Sequence, residues 1–150
     1  MAQIGGTSTT SPNRLLGTVF GAVYVLVGLI GFAVTSGVGF AETNSDKAIL
    51  GIFEVNPLHN IVHLAIGAAL IIAARNSEYA SRMINGAVGG TYLLVGVLGL
   101  FILNSEANIL SLNAADNGLH FASAAVLLGV SILGARSTTV ETNTRTRAGV

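Results

Sequence analysis

Four long stretches of this sequence carry no charged residue: 15–41, 55–74, 83–105 and 117–135. Each is close to or above the ~20 residues that take a helix across the hydrocarbon of a bilayer. In lipid a spanning segment must satisfy its own backbone polar groups, and a helix does so internally. Four transmembrane helices are therefore expected, at roughly 15–40, 57–75, 82–104 and 114–136. They consume nearly all of the 150 residues, and only 9% of the chain is charged, against about 25% in soluble domains. No room is left for a soluble catalytic domain. Gly39, Phe40 and Ala41 look like a signal-peptidase site. The apolar run before them, however, is far longer than the ~7–15 residues of a signal-peptide core, so the first span is read as retained.

Orientation follows from the basic residues. Arg14 precedes the first span, Arg75 and Arg82 flank the short second connection, and Arg136, Arg145 and Arg147 follow the fourth span. The other two connections hold Glu42, Asp46, Glu54, Glu106 and Asp116 against a single Lys47. The positive-inside rule then places both termini in the cytoplasm. The segments 1–13 and 137–150 are Ser/Thr-rich and read as solvated, disordered tails, since they have little to bury. The outer loop 41–54 is expected to form a short amphipathic piece around Ile49, Leu50, Ile52 and Phe53. The absence of cysteine excludes disulfides, thiolate metal sites and thiol chemistry. No basic patch exists to hold nucleic-acid phosphates.

The chain repeats itself. A shift of 68 residues superposes Arg14, Gly21, Tyr24, Leu26, Val27, Gly28 and Gly31 on identical residues, seven matches in the twenty positions 14–33. The second helices align at a shift of 57, so the first outer loop is eleven residues longer. The expected fold is an all-α integral membrane four-helix up-down bundle made of two tandem helical hairpins, 14–75 and 82–136. Two hairpins of like orientation are related by an axis along the membrane normal. Helices two and four become symmetry partners. The glycines, among them the Gly17/Gly21 pair, permit close helix approach; they also raise the prospect of room for a flat ring.

A polar motif opens helices two and four. It reads Asn56, His59, Asn60, His63 in one copy and Asn113, Asp116, Asn117, His120 in the other, and holds all three histidines of the chain. Spacings of three, four and seven put each set on one helix face. Asn56 followed by Pro57, and likewise Asn113, suit helix N-caps. Asp116 favours the helix dipole at the third helical position, while His59 is expected at the wet rim. His63 and His120 lie about 10 Å below their caps, where a lone imidazole should face the protein interior. Interhelical hydrogen bonds to Asn60, Asn117 or a tyrosine (Tyr24 or Tyr92) would explain them as packing devices, worth about 0.6–2 kcal/mol.

The functional alternative is a ligand site on the symmetry axis between helices two and four. His59, His63, Asp116 and His120 together suit a divalent metal ion, with Asn56, Asn60, Asn113 and Asn117 and the two tyrosines around the ligands. His63 and His120 alone suit the axial positions of a haem or related tetrapyrrole. The competing class is a structural or accessory protein whose polar stripes fix helix packing, form a homo-oligomer or dock a larger complex. An enzyme ranks below both, because the cluster has no nucleophile–base pair and one carboxylate.

The order of spans, Pro-Leu-His-Asn-x-x-His opening the second and Asn-x-x-Asp-Asn-x-x-His opening the fourth, resembles a family of small four-span bacterial, mainly actinobacterial, membrane proteins known only as a domain of unknown function. The resemblance covers about residues 14–136 and includes the Tyr-x-Leu-Val-Gly repeats. It implies a bacterial cell-membrane location and four helices, and no activity.

Overall fold

Ser11 accepts a hydrogen bond from the Arg14 amide and Pro12 takes the first helical position, so α1 begins at once and runs Pro12–Val34. The computed structural model describes residues 11–148, with side-chain surroundings through residue 134. The remaining helices are α2 (Pro57–Asn76), α3 (Glu78–Ile102) and α4 (Ala114–Ala148). Four segments, Pro12–Val34, Pro57–Asn76, Glu78–Ile102 and Ala114–Gly134, are long and apolar enough to cross a membrane. The protein is an all-α four-helix bundle, as its charge-free stretches require.

Boundaries shift for local reasons. The first helix stops at Val34 rather than near residue 40: the Thr35 amide closes the last turn on the Gly31 carbonyl, and Gly37 then adopts a φ of +83°. The second connection shrinks to Ser77, which ends α2 in extended geometry and caps α3 through the Ala80 amide. The short piece expected around Ile49, Leu50, Ile52 and Phe53 is extended. It forms a hairpin of β1 (Ala48–Ile49) and β2 (Phe53–Glu54), with Ala48 opposite Glu54 and Leu50 and Gly51 at positive φ in the turn. The tail expected over 1–13 lies outside the described residues up to residue 10, and Pro12 and Asn13 already belong to α1. The α4 backbone continues through most of the stretch expected as the second tail.

The hairpin repeat is visible in burial. The buried positions of α1 are Asn13, Gly17, Gly21, Tyr24, Gly28 and Gly31; a shift of 68 gives Ser81, Asn85, Gly89, Tyr92, Gly96 and Gly99, all buried in α3. α1 packs chiefly on α2 and α3 chiefly on α4. Glycine makes the first contact intimate: a Cβ on Gly21 would sit 2.8 Å from the Gly67 carbonyl oxygen, and one on Gly67 would sit 2.7 Å from that of Gly21. Such spacing is how membrane helices gain dispersion energy without a hydrophobic drive. The centre of the bundle is Tyr24, Leu70, Val88, Tyr92, Ala124 and Leu127.

Across the axis, one expectation fails. α1 and α3 touch, through the Tyr24–Tyr92 pair and through Asn85, whose amide donates to the Asn13 carbonyl (3.0 Å) and Oδ1 (3.2 Å). Among the described residues, the α2 and α4 backbones do not approach each other. Only side chains bridge them.

Candidate functional site: a buried imidazole and tyrosine cluster beside a lateral cleft

The caps fix where the histidines point. Asn56 accepts from the His59 amide (2.8 Å), starting α2, and Asn113 and Asp116 exchange reciprocal bonds at the start of α4 (3.0 and 3.1 Å). That capping box satisfies amides that no earlier helical turn could serve. Both asparagines also reach across the repeat boundary. The Asn56 amide donates to the Glu42 and Ile109 carbonyls, and the Asn113 amide to the Ile52 carbonyl. Each cap therefore holds the outer loop of the other repeat, and the two loops close over the cluster.

Below the caps five aromatic rings form a closed circuit. His63 stacks on Tyr24 (centroids 5.6 Å, planes 14° apart) and His120 on Tyr92 (5.0 Å, 20°). Tyr24 meets Tyr92 at 5.4 Å. His59 closes the circuit, 4.5 Å from His63 and 6.4 Å from His120. The two Tyr–His stacks are symmetry copies, since Tyr24 and Tyr92, and His63 and His120, are equivalent positions. His59 has Asp116 as its counterpart and so has no copy. It is also not at a wet rim: at 2% exposure it is more buried than His63 or His120. Nδ1 of each histidine is buried without a hydrogen-bond partner.

The asparagines of the second helical turn do something else. Asn60 and Asn117 sit in glycine notches of their own repeats. A Cβ on Gly31 would collide with the Asn60 amide, and one on Gly99 with that of Asn117. Asn60 further donates to Thr35 Oγ1 (3.1 Å). No described hydrogen bond joins any of the four motif asparagines to an imidazole, so they act on helix packing and loops.

A metal or haem centre does not emerge from this geometry. Among the described residues, no group of three or more His, Cys, Asp or Glu side chains is placed to hold an ion. The rings stack on one another instead of converging their nitrogens, and Asp116 is engaged by its cap. The space between His63 and His120 is filled by Tyr24, Tyr92 and His59. The glycines do not clear room for a macrocycle either: Cβ atoms on Gly28 and Gly96 would meet Leu64 and Phe121 of the facing helices.

What the cluster does border is a cleft of about 360 Å³ between α1 and α4. Exposed Val19, Val23, Leu119 and Val126 form its rim, and in a bilayer these face lipid. The β-hairpin roofs it with Ile49, Leu50 and Phe53. Tyr24, His63, Asp116, His120 and Ser123 supply its polar lining, and no lysine or arginine lines it. The Tyr24 hydroxyl is within reach of Ser123 and of the Tyr92 hydroxyl. A second cleft of the same volume lies at the related place between α2 and α3, against Leu58, Val62, Val95 and Leu98. Its one polar lining residue, Asn108, spends its amide on the Leu103, Leu112 and Thr43 carbonyls. Of these two clefts, the first is the one equipped to bind a polar group.

Sequence reading missed Ser123 and Thr35 as functional positions. Ser123 was legible in principle, because it lies three residues after His120 on the same face. Thr35 lies beyond its helix and carries no such signal. The sequence also missed the inner cluster of Asn13, Ser81 and Asn85, each 0% exposed.

A family model described as Domain of unknown function (DUF4383) matches residues 14–133. The chain belongs to that family. No curated protein and no solved structure matches it. Membership in DUF4383 agrees with the resemblance drawn from the two polar motifs, both of which lie inside the matched region, and assigns no chemistry to them.

Proposed function

We propose that this DUF4383 protein is a membrane-embedded binding module that takes an uncharged, lipid-soluble small molecule from the bilayer into the cleft between α1 and α4. One observation carries the reading: Tyr24, His63 and His120 of the cluster, with Asp116 and Ser123, line one apolar cleft that opens between lipid-facing residues. Binding sites for small molecules combine apolar walls with a few converging polar groups, and about 300–1,000 Å³ is their usual size. With Asp116 present and no cation in the lining, an anionic head group such as phosphate or a fatty-acid carboxylate is disfavoured. The charge distribution supports cytoplasmic termini and a cleft in the outer half of the bilayer, and the family resemblance implies a bacterial cell membrane.

The test is extraction of the full chain from its own membrane in polymer-bounded lipid discs, followed by mass spectrometry of what accompanies it. One uncharged lipid-soluble compound should be enriched over bulk lipid with the natural chain and lost with Ala122→Phe. Ala122 is an exposed cleft residue, so the larger ring fills the mouth without entering the core. Bulk phospholipid alone in both samples refutes the reading.

A further inference from the structure

The geometry points to a quinone or quinol ring as the head group that occupies the cleft between α1 and α4; this rests on the binding reading above and specifies its ligand. Three features select that chemistry. The first is what the histidines present. Stacking covers the faces of His63 with Tyr24 and His59, and one face of His120 with Tyr92. Both rings also line the cleft, and with Nδ1 buried the edge left to reach a guest is the one carrying Nε2. A neutral imidazole has one donor and one acceptor nitrogen, so such edges can meet a carbonyl in the oxidised ring or a hydroxyl in the reduced one. Ser123 and Tyr24 add hydroxyls with the same double capacity, and the Asp116 carboxylate adds an acceptor.

The second feature is shape. Polar groups come to the cleft from both helices that bound it: Tyr24 from α1, Asp116, His120 and Ser123 from α4, with His63 of α2 behind them. A ring with oxygens on opposite edges can engage both sides, whereas a prenyl alcohol has a single hydroxyl. The apolar path past Val19, Val23 and Val126 to the lipid-facing rim suits an isoprenoid tail that remains in the bilayer. The third feature is the contrast between the two clefts. Equal in volume and related by the repeat, they differ in that the histidines and Asp116 line only the first. A site for a purely hydrocarbon guest would have no use for that difference.

The experiment uses the full chain in lipid nanodiscs and two probes with the same kind of tail: menaquinone-4, which carries a naphthoquinone ring, and geranylgeraniol, which carries a lone hydroxyl. Bound probe is quantified by native mass spectrometry as a function of its mole fraction in the disc. Menaquinone-4 is expected to bind about tenfold more tightly than geranylgeraniol, the worth of one or two additional hydrogen bonds. His120→Phe should bring menaquinone-4 down to the geranylgeraniol level while retaining an aromatic ring in the stack, and Ala122→Phe should weaken both probes. Helical content by circular dichroism accompanies each variant, and His63→Phe serves where His120→Phe does not fold. Equal binding of the two probes, with both sensitive to Ala122→Phe, overturns the quinone assignment and leaves the binding module standing. Binding of neither, or binding indifferent to Ala122→Phe, overturns both.

Discussion

Gly31→Ala is the substitution whose cost the structure defines best. The new Cβ would collide with Oδ1 and press on Nδ2 of Asn60, in a contact between α1 and α2 that is fully buried on both sides. Either the helices separate or the amide swings away. Overpacking of this kind costs about 1–3 kcal/mol. A displaced amide also forfeits its bond to Thr35 Oγ1, worth roughly 0.6–2 kcal/mol between membrane helices. The sum is about 2–5 kcal/mol of destabilisation. Gly99→Ala repeats the collision with Asn117, yet Leu103 stands where the repeat has Thr35, so only the first term applies and the cost falls to about 1–3 kcal/mol. Gly90→Ala is the control: nothing lies within 4 Å of its Cβ, and helix propensity alone favours alanine by up to ~1 kcal/mol. Reversible unfolding in bicelles, followed by steric trapping, measures all three. The pair Gly31→Ala and Asn60→Ala should be non-additive by more than ~1 kcal/mol, since removing the amide removes the collision. If Gly31→Ala and Gly90→Ala unfold alike, or if the double variant is additive, Asn60 does not occupy the Gly31 notch.

Three further outcomes follow from the site. His59→Ala should destabilise by roughly 2–4 kcal/mol, as emptying a packed interior position does, because its ring is buried between His63 and His120; an effect below ~0.5 kcal/mol, typical of surface changes, would return His59 to the wet rim its position in the sequence suggests. Asn56→Ala should lose a cap and two loop hydrogen bonds, about 2–3 kcal/mol together. Its signature in hydrogen exchange should be faster amides across 103–113 in the opposite repeat, and a response confined to the first repeat would contradict the cross-bracing. The chain has no cysteine of its own, so single cysteines at the exposed positions Asn44 and Glu106 should react with an impermeant maleimide from outside the cell and one at Arg75 should not; the reverse pattern would invert the orientation.

Much of the fold was legible because lipid imposes a simple rule on a chain. Charge-free length fixed four spans, and the 68- and 57-residue offsets fixed two hairpins with equivalent faces. The caps were legible too, since Asn56 with Pro57, and Asn113 with Asp116, act within one helical turn. Ligand chemistry was less so. Helical spacing pointed His63 and His120 to the protein interior but left His59 at a wet rim, and it says nothing about whether nitrogens converge or rings stack.

The sequence by itself determined the helices, their number, the internal symmetry and the polar stripe at one end of α2 and α4, all of which depend on residues near one another along the chain. Tertiary structure alone decided what those stripes face. Asn60 and Asn117 found glycine notches on their own hairpin partners instead of each other, and Tyr24 and Tyr92, 39 and 28 residues from the histidines they stack on, took up the ring faces of a metal or haem site. The first outer loop, longer by eleven residues, became the hairpin that roofs one of two equivalent clefts. The reason is common to all three: helix periodicity tells which side of a helix is buried, whereas its neighbour is chosen by the fit of side chains across helices, and that fit is written in three dimensions.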